Sequence, residues 1–158
     1  SYDVILVDSS PSLNEETLAV MLASDEILVV TTPDHPTLSA TIKAVKLAKQ
    51  RGTPISGLIL NKVHNKNFEV SLKDVEETLG LPVLAVLPYD INVLKSLANM
   101  ESYTIARPNS KGSIEYKKLA ATLVGEKYKQ SGFMDFFGRI TPNKQEVNRE
   151  LFYQRMFK

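Results

Sequence analysis

The stretch Tyr2-Asp-Val-Ile-Leu-Val-Asp8 decides the class of fold, because it has the pattern of a buried strand that ends on a carboxylate. Continuous apolar runs of this length are typical of strands covered on both faces, as in parallel sheets. A carboxylate at the carboxyl end of such a strand stands where open α/β sheets bind their ligands. Asp8 is therefore a candidate ligand-binding residue, and capping of the next turn is an equally good explanation of it.

Strand-like and helix-like segments alternate along the rest of the chain, which predicts βαβ crossovers, a mostly parallel sheet and helices on both faces. Four strands are few for such a sheet, so we expect the fold to be incomplete at its N-terminus. The other predicted strands are Glu26–Thr31, Pro54–Asn61 and Pro82–Pro88. The predicted helices cover Glu15–Ala23, about Thr37–Arg51, Ser71 to about Gly80, a short segment from about Asp90, and Ser113–Lys129.

The composition limits the class of protein. The chain has 158 residues, is 43% hydrophobic and 23% charged, and carries a formal net charge of +1. These values are ordinary for a soluble domain and give no electrostatic argument for nucleic acid, so we expect no nucleic-acid partner. The chain has no cysteine, which excludes disulfides, thiolate metal sites and thiol nucleophiles. No apolar run reaches the ~20 residues of a membrane span.

Two other polar groups are expected at the same edge of the sheet as Asp8. Asn61 ends one predicted strand, and its carboxamide can donate and accept at once, as the edge of adenine requires. Pro88-Tyr89-Asp90 ends the next predicted strand and could form the wall of a base pocket. Taken singly, an Asx turn at Asn61 and a helix cap at Asp90 are the better explanations. Together, the three positions predict a ligand site at the carboxyl ends of the strands.

Other chemistry has less support. His35 and His64 lie in predicted loops without metal-ligand spacing, which argues against a histidine metal site. The pair Ser9-Ser10 lacks the Gly-x-Ser-x-Gly context of a nucleophile elbow.

The last part of the chain changes in composition. Phe133, Phe136, Phe137 and Ile140 follow the spacing of one helical face. A further helix is expected after Thr141-Pro142, with Val147, Leu151 and either Phe152 or Met156 on its apolar face. From Glu126 to Lys158 there are seven Lys or Arg and four Asp or Glu, a net charge of +3. This pattern fits an anionic membrane surface, and it fits packing on the domain or on a partner subunit equally well.

Four motifs over Tyr2 to about Gly125 together resemble the MinD/ParA family of deviant Walker A ATPases, in particular its MinD-like members. Asp8-Ser-Ser-Pro-Ser-Leu13 resembles the Walker B and second switch region, and Ala23 to Pro33 resembles the strand and Pro-rich turn that follow it. Leu58-Ile-Leu-Asn-Lys-Val63 resembles the Asn-Arg/Lys adenine motif. Val86-Leu-Pro-Tyr-Asp-Ile-Asn-Val93 resembles the base-binding segment. The tail resembles the C-terminal membrane helix of MinD-like proteins, although it is longer and interrupted by Asp135.

The resemblance implies a P-loop NTPase-like α/β fold, incomplete at its N-terminus and followed by an amphipathic helical tail. Residues 1–125 would form the later portion of the nucleotide-binding domain, and residues 126–158 the tail. Asp8 would be the catalytic residue that holds Mg²⁺ through water, and Ser9, Ser10 and Pro11 would form the switch. Asn61, Lys62, Pro88, Tyr89 and Asp90 would bind the base of ATP or ADP. Phe133, Phe136, Phe137 and Ile140 would contact the membrane.

The resemblance also implies a homodimer under nucleotide control, acting in the cytoplasm or at the inner face of the cell membrane, with unnamed regulatory partners in cell division. The family's Lys-Gly-Gly-x-Gly-Lys-Thr loop is absent from this sequence, so we expect the isolated chain neither to bind ATP tightly nor to hydrolyse it. The alternatives are a non-catalytic pseudo-ATPase regulator of the same fold, or a ParA-type ATPase for flagellar number, DNA partitioning or metallocofactor maturation.

Overall fold

The computed structural model describes residues 2–10, 14–128 and 143–157. Helices and strands alternate through most of this part of the chain, as the sequence pattern predicts. The strands are β1 (Ile27–Thr31), β2 (Ile55–Val63) and β3 (Val83–Pro88). The helices are α1 (Glu15–Ala23), α2 (His35–Arg51), α3 (Leu72–Leu79), α4 (Ile91–Ala98), α5 (Tyr103–Ala106), α6 (Lys111–Leu123) and α7 (Lys144–Phe157).

The three strands form one parallel sheet in the order β1-β2-β3. The mostly parallel α/β architecture expected from the alternation is thus confirmed. Because all three strands point the same way, the loops that follow them all emerge at the carboxyl ends of the strands, on one side of the sheet. Asn61 and Pro88–Asp90 are brought together in this way.

Helices cover both faces of the sheet, and a separate apolar core lies under each. On one face Leu58, Leu60 and Val83 pack against α2 and α3 through Val45 and Val75. On the other face Ile59 and Leu84 pack with four further residues of β3, α6 and α7. Those four are Ala85, Leu87, Leu119 and Phe152. Burial on both faces explains why β2 and β3 are continuously apolar.

Local sequence signals explain where the helices begin and end. The Asp34 carboxylate accepts the N–H of Thr37 at the start of α2, and Ser71 Oγ accepts the N–H of Asp74 at the start of α3. Gly52 and Gly80 end these two helices in the left-handed conformation, with φ of 76° and 61°. Asn14 caps α1, since its side chain accepts the N–H of Thr17.

The predicted N-terminal strand Asp3–Val7 is wrong for this structure. Residues 2–10 contain no strand, and Ile5 and Leu6 are 72% and 78% exposed. An apolar run is buried as a strand only where a neighbouring strand supplies hydrogen bonds and a helix covers it. Within the described part of the chain, no strand pairs with this run. Consequently the described residues form three strands where four were expected.

The helical C-terminal tail expected from the sequence is present as α7, and this helix packs on the sheet. Its buried residues are Arg149 and Phe152, whereas Val147 and Leu151 of the predicted apolar face are 43% and 60% exposed. Phe152, one of the two alternatives for the predicted apolar face, is buried, but apolar spacing could not indicate that the other buried residue is the charged Arg149. Whether residues 126–158 form a separate unit, as the sequence suggests, stays a prediction.

Polar side chains from three helices cover the outer edge of β3. Glu76 Oε1 accepts the N–H of Val83 at 2.8 Å, and Asn148 Nδ2 donates to the carbonyl of Val83 at 2.8 Å. Arg149 Nη1 donates to the carbonyl of Leu84 at 2.7 Å, and Glu115 Oε1 accepts the N–H of Val86 at 3.2 Å. The groups that a neighbouring strand would satisfy are thus paired with side chains.

Arg149 is the centre of this arrangement. Its side chain is 7% exposed and lies 2.6 Å from Glu115 Oε1 and 3.8 Å from Glu146 Oε1. Lys118 donates to the same Glu146 oxygen at 2.9 Å, so α6 and α7 are joined by alternating charges. Because each buried charge has a partner of the opposite sign, the desolvation cost is offset.

Glu76 is expected to make the attachment of α7 dependent on pH. Burial acts to raise the pKa of Glu76, but the ion pair with Lys144 and the hydrogen bonds from Val83 and Asn148 outweigh burial and lower it. A lowered folded-state pKa contributes stability above the ordinary carboxyl pKa of 4.5, and that stability is lost as the pH falls through the folded value.

We expect Glu76→Gln to be less stable than the native chain above pH 5, with the difference shrinking towards pH 3. Urea unfolding of both proteins across this range tests it, and a constant difference would contradict the assignment.

Candidate functional site

Asn61 and Lys62 form a bulge near the carboxyl end of β2. Leu60 pairs with Val86 and Val63 pairs with Pro88, so β2 has two residues where β3 has only one between these pairs. Lys62 adopts a left-handed conformation with φ of 54°, which is uncommon outside glycine. The Lys62 N–H donates to Asn61 Oδ1 at 2.9 Å and thereby supports the bulge.

Strand β2 extends two residues beyond its predicted end, through the bulge. Asn61 was expected to end the strand, but β2 continues to Val63, whose side chain is 9% exposed and whose carbonyl accepts the N–H of Tyr89 at 2.9 Å. Bulges redirect side chains and are common beside binding sites. Asn61 is half-buried and Lys62 is exposed.

An aromatic stack lies at the same edge of the sheet. The rings of His64 and Tyr89 are stacked with centroids 4.6 Å apart and an interplanar angle of 21°. Tyr89 is 47% exposed, and Phe68, 70% exposed, lies at a tilt to His64 with centroids 6.1 Å apart. The stack therefore offers flat apolar surface to solvent next to the bulge, as a planar ligand requires.

Asp90 caps α4 and is held from two sides. Its Oδ1 accepts the backbone N–H of Asn92 at 2.9 Å, and its Oδ2 accepts the hydroxyl of Tyr103 at 2.7 Å. The hydrogen bond from Asn92, followed by that from Tyr103, lowers the pKa of Asp90 below its ordinary value. The carboxylate is therefore charged at neutral pH and fixed in orientation. The helix cap that the sequence favoured for Asp90 is present.

Asp8 is not brought to this group by any contact within the described residues. It is exposed and lies within residues 2–10, which contain no strand, so its predicted place at a strand end is wrong here. Ser9 and Ser10 are also exposed, and the Ser10 carbonyl accepts the hydroxyl of Thr17 at 3.2 Å. Pro11 lies outside the described residues. The assignment of these residues to a switch stays a prediction.

The residues present do not fit a magnesium site by themselves. Among residues 2–10, 14–128 and 143–157, no group of three His, Asp or Glu side chains could hold a metal ion. A single exposed carboxylate at Asp8 does not make such a site, because Mg²⁺ binding sites combine one or two carboxylates with substrate phosphates. The described residues therefore do not by themselves support a reaction step that depends on Mg²⁺.

The predicted membrane-contact residues Phe133, Phe136, Phe137 and Ile140 lie outside the described residues. In the ranges that the structure describes, every helix is too short or too polar to cross a bilayer.

The sequence analysis did not assign two residues, Tyr103 and His64, to this site. Tyr103 lies on α5, a single helical turn that the pattern did not predict, and its hydroxyl reaches Asp90 thirteen positions earlier. His64 was considered only as a metal ligand, and its role is in stacking. An aromatic residue placed just after each of two adjacent strands, His64 after β2 and Tyr89 after β3, is the signal that could have indicated the stack.

Comparison with known proteins agrees with this architecture. Residues 3–96 match the family model AAA_26, described as an AAA domain. An uncharacterized ATP-binding protein of Methanocaldococcus jannaschii is 32% identical over 126 residues, covering 80% of this chain and 48% of the relative. A putative septum site-determining protein MinD of Mesostigma viride is 28% identical over 131 residues, covering 80% and 46%.

A solved structure shows the same fold. The septum site-determining protein MinD of Pyrococcus horikoshii, complexed with Mg-ADP, superposes with a TM-score of 0.65 at 27% identity, covering 71% of this chain and 46% of that one. The chain thus spans about half the length of the relatives it matches. By the family match, which includes all three strands, and by these relatives, the chain belongs to the AAA domain family AAA_26 and is a MinD/ParA-like member of it.

Proposed function

We propose that the chain is the base-binding portion of a MinD-like ATPase, whose nucleotide state controls dimerisation and membrane or partner binding in cell division. One observation carries the proposal: the Asn61–Lys62 bulge and the Pro88–Asp90 turn stand side by side at the carboxyl ends of two adjacent parallel strands. Open α/β sheets bind ligands at this edge.

The chemistry of these residues suits adenine. The bond from the Lys62 N–H orients the Asn61 carboxamide, whose NH₂ group can donate to N7 while the second lone pair of its oxygen accepts from N6. The flat surface of Tyr89, backed by His64, can cover a purine face. The bulge and the stack would therefore supply edge and face recognition of the same base.

Relatives support a nucleotide as the ligand. Proteins similar to this chain are named as ATP-binding, and the Pyrococcus horikoshii MinD structure contains Mg-ADP. Those relatives are about twice as long as the matched region, and we assign the phosphate and magnesium chemistry mainly to the part of them that this chain does not match. Asp8, Ser9, Ser10 and Pro11 would complete the site only alongside that part.

Adenosine binding by the isolated chain tests the proposal. Adenosine lacks phosphates, so the test does not depend on a phosphate loop. Titration to millimolar concentration, followed by ¹H–¹⁵N NMR, is expected to shift the amides of Asn61, Lys62, Tyr89 and Asp90, and guanosine is expected to shift them less. Asn61→Ala should weaken adenosine binding at least fivefold, because both edge hydrogen bonds are lost.

Asn67→Ala is the matched control, since Asn67 lies exposed in the loop that follows β2. It should bind adenosine as the native chain does. Equal shifts with adenosine and guanosine, or equal loss in Asn61→Ala and Asn67→Ala, would contradict adenine recognition at this edge.

We also propose that the segment with Phe133, Phe136, Phe137 and Ile140 contacts an anionic membrane surface, placing the protein at the inner face of the cell membrane. The amphipathic spacing and the net charge of +3 from Glu126 to Lys158 support this.

Because α7 packs on the sheet, truncation of the tail would disturb the fold and is a poor test of membrane contact. Replacing Phe133, Phe136 and Phe137 by serine avoids this problem. Flotation with phosphatidylglycerol-containing vesicles should show native binding and at least a tenfold loss in the triple variant, whereas equal flotation would contradict membrane contact.

A further inference from the structure

The Tyr103 hydroxyl joins three parts of the chain. It donates to Asp90 Oδ2 at 2.7 Å and accepts from Ser110 Oγ at 2.8 Å. Asp90 caps α4, Tyr103 begins α5, and Ser110 caps α6 by accepting the N–H of Ser113 at 3.2 Å. A single hydroxyl thus connects the starts of three helices.

The place of this hydroxyl is closely set by its surroundings. Tyr103 is 9% exposed, and a Cβ atom added to Gly112 would lie 2.8 Å from the Tyr103 hydroxyl oxygen. Any side chain at position 112 would therefore displace the hydroxyl or the start of α6. Burial, and in smaller part the charge of Asp90, raises the pKa of Tyr103, so its proton stays available for donation at neutral pH.

We propose that Tyr103 is a positioning residue for the base-binding turn Pro88–Asp90. Both Asp90 oxygens are engaged, Oδ1 by Asn92 and Oδ2 by Tyr103, so the carboxylate cannot rotate. Since Tyr89 directly precedes Asp90, fixing Asp90 also fixes the end of the turn that carries the stacking ring. Tyr103 acts through Asp90 and does not touch the base.

This inference rests on the proposed function and makes that function depend on a residue outside the ligand-binding edge. Without the hydroxyl, Asp90 would still accept the capping hydrogen bond from Asn92 but would lose the hydrogen bond to its Oδ2. The turn would then occupy its binding arrangement for only part of the time, and the apparent affinity for the base would fall by that fraction.

Tyr103→Phe tests the inference, because it removes only the hydroxyl and keeps the buried ring. Tyr116→Phe is the matched control: Tyr116 lies on α6, is 40% exposed, and its hydroxyl makes no hydrogen bond within the described residues. Two quantities are measured by NMR, the adenosine dissociation constant and the titration of the Asp90 ¹³C carboxyl resonance.

In Tyr103→Phe the adenosine dissociation constant is expected to rise about fivefold, and the Asp90 pKa to move up towards its ordinary value. Tyr116→Phe should change neither. A merely structural role of Tyr103 would leave the Asp90 titration in place. Unchanged adenosine affinity in Tyr103→Phe, with the native chain binding, would overturn the inference and leave the proposed function standing. Failure of the native chain to bind adenosine would overturn the proposed function and the inference with it.

Discussion

Replacing Arg149 by alanine is expected to lower the free energy of unfolding by about 3 kcal/mol, because removal of one partner leaves a buried charge uncompensated. Arg149 is 7% exposed and Glu115, its partner, is 12% exposed. The substitution would also remove the donor to the Leu84 carbonyl at the edge of β3. Urea unfolding should show a lower midpoint at an unchanged slope.

Lys73→Ala is the control for this prediction. Lys73 and Glu77 also form an ion pair, 3.7 Å apart, but their side chains are 73% and 64% exposed. Exposed pairs contribute little, so the change should be below about 0.5 kcal/mol. A similar loss in both variants would show that burial does not set the strength of the Arg149 pair.

Gly57→Ala is expected to destabilise the sheet by about 3 kcal/mol, chiefly through overpacking and in smaller part through backbone strain at its φ of 159°. A Cβ atom at this position would lie 2.7 Å from Leu84 Cγ and 2.7 Å from the Pro82 carbonyl oxygen. Leu84 is fully buried, and the Pro82 oxygen accepts the N–H of Leu58 at 2.8 Å, so neither atom can move aside freely. Glycine in a central strand marks such a close approach of a neighbouring strand.

Gly52→Ala separates packing from backbone conformation. Gly52 has φ of 76° but no atom within 4 Å of an added Cβ. Its replacement should cost only the left-handed strain, about 1 kcal/mol. Thermal or urea unfolding of the two variants compares the effects directly. If Gly52→Ala were the more destabilising of the two, the assignment of the Gly57 effect to crowding would be wrong.

The sequence predicted the elements whose signals are local. Helix α2 was predicted over about Thr37–Arg51 and is observed at His35–Arg51, between its capping residues Asp34 and Gly52. The strands β2 and β3 are continuous apolar runs between turn residues, and they are buried as expected. These features depend on residues close in sequence, so a pattern can reveal them.

The errors concern contacts between distant parts of the chain. Asp3–Val7 has the composition of a strand, but composition cannot supply the neighbouring strand that burial needs. The buried face of α7 depends on Glu76 and Glu115, which lie far from Arg149 in sequence. At the candidate site, the sequence correctly placed Asn61 and Pro88–Asp90 together at the carboxyl ends of adjacent strands, since parallel strands bring these ends together. The bulge and the Tyr103 contact arise from strand register and tertiary packing and were not predictable.

The two edges of the sheet differ in their capacity to recruit another strand. Side chains occupy the outer edge of β3, whereas nothing in the described part of the chain pairs with the outer edge of β1, where Val30 is 58% exposed. A sheet that is open on one side can add strands on that side only. Another strand could pair with the outer edge of β3 only if side chains of α3, α6 and α7 released its main-chain groups, so these side chains protect this edge against main-chain association.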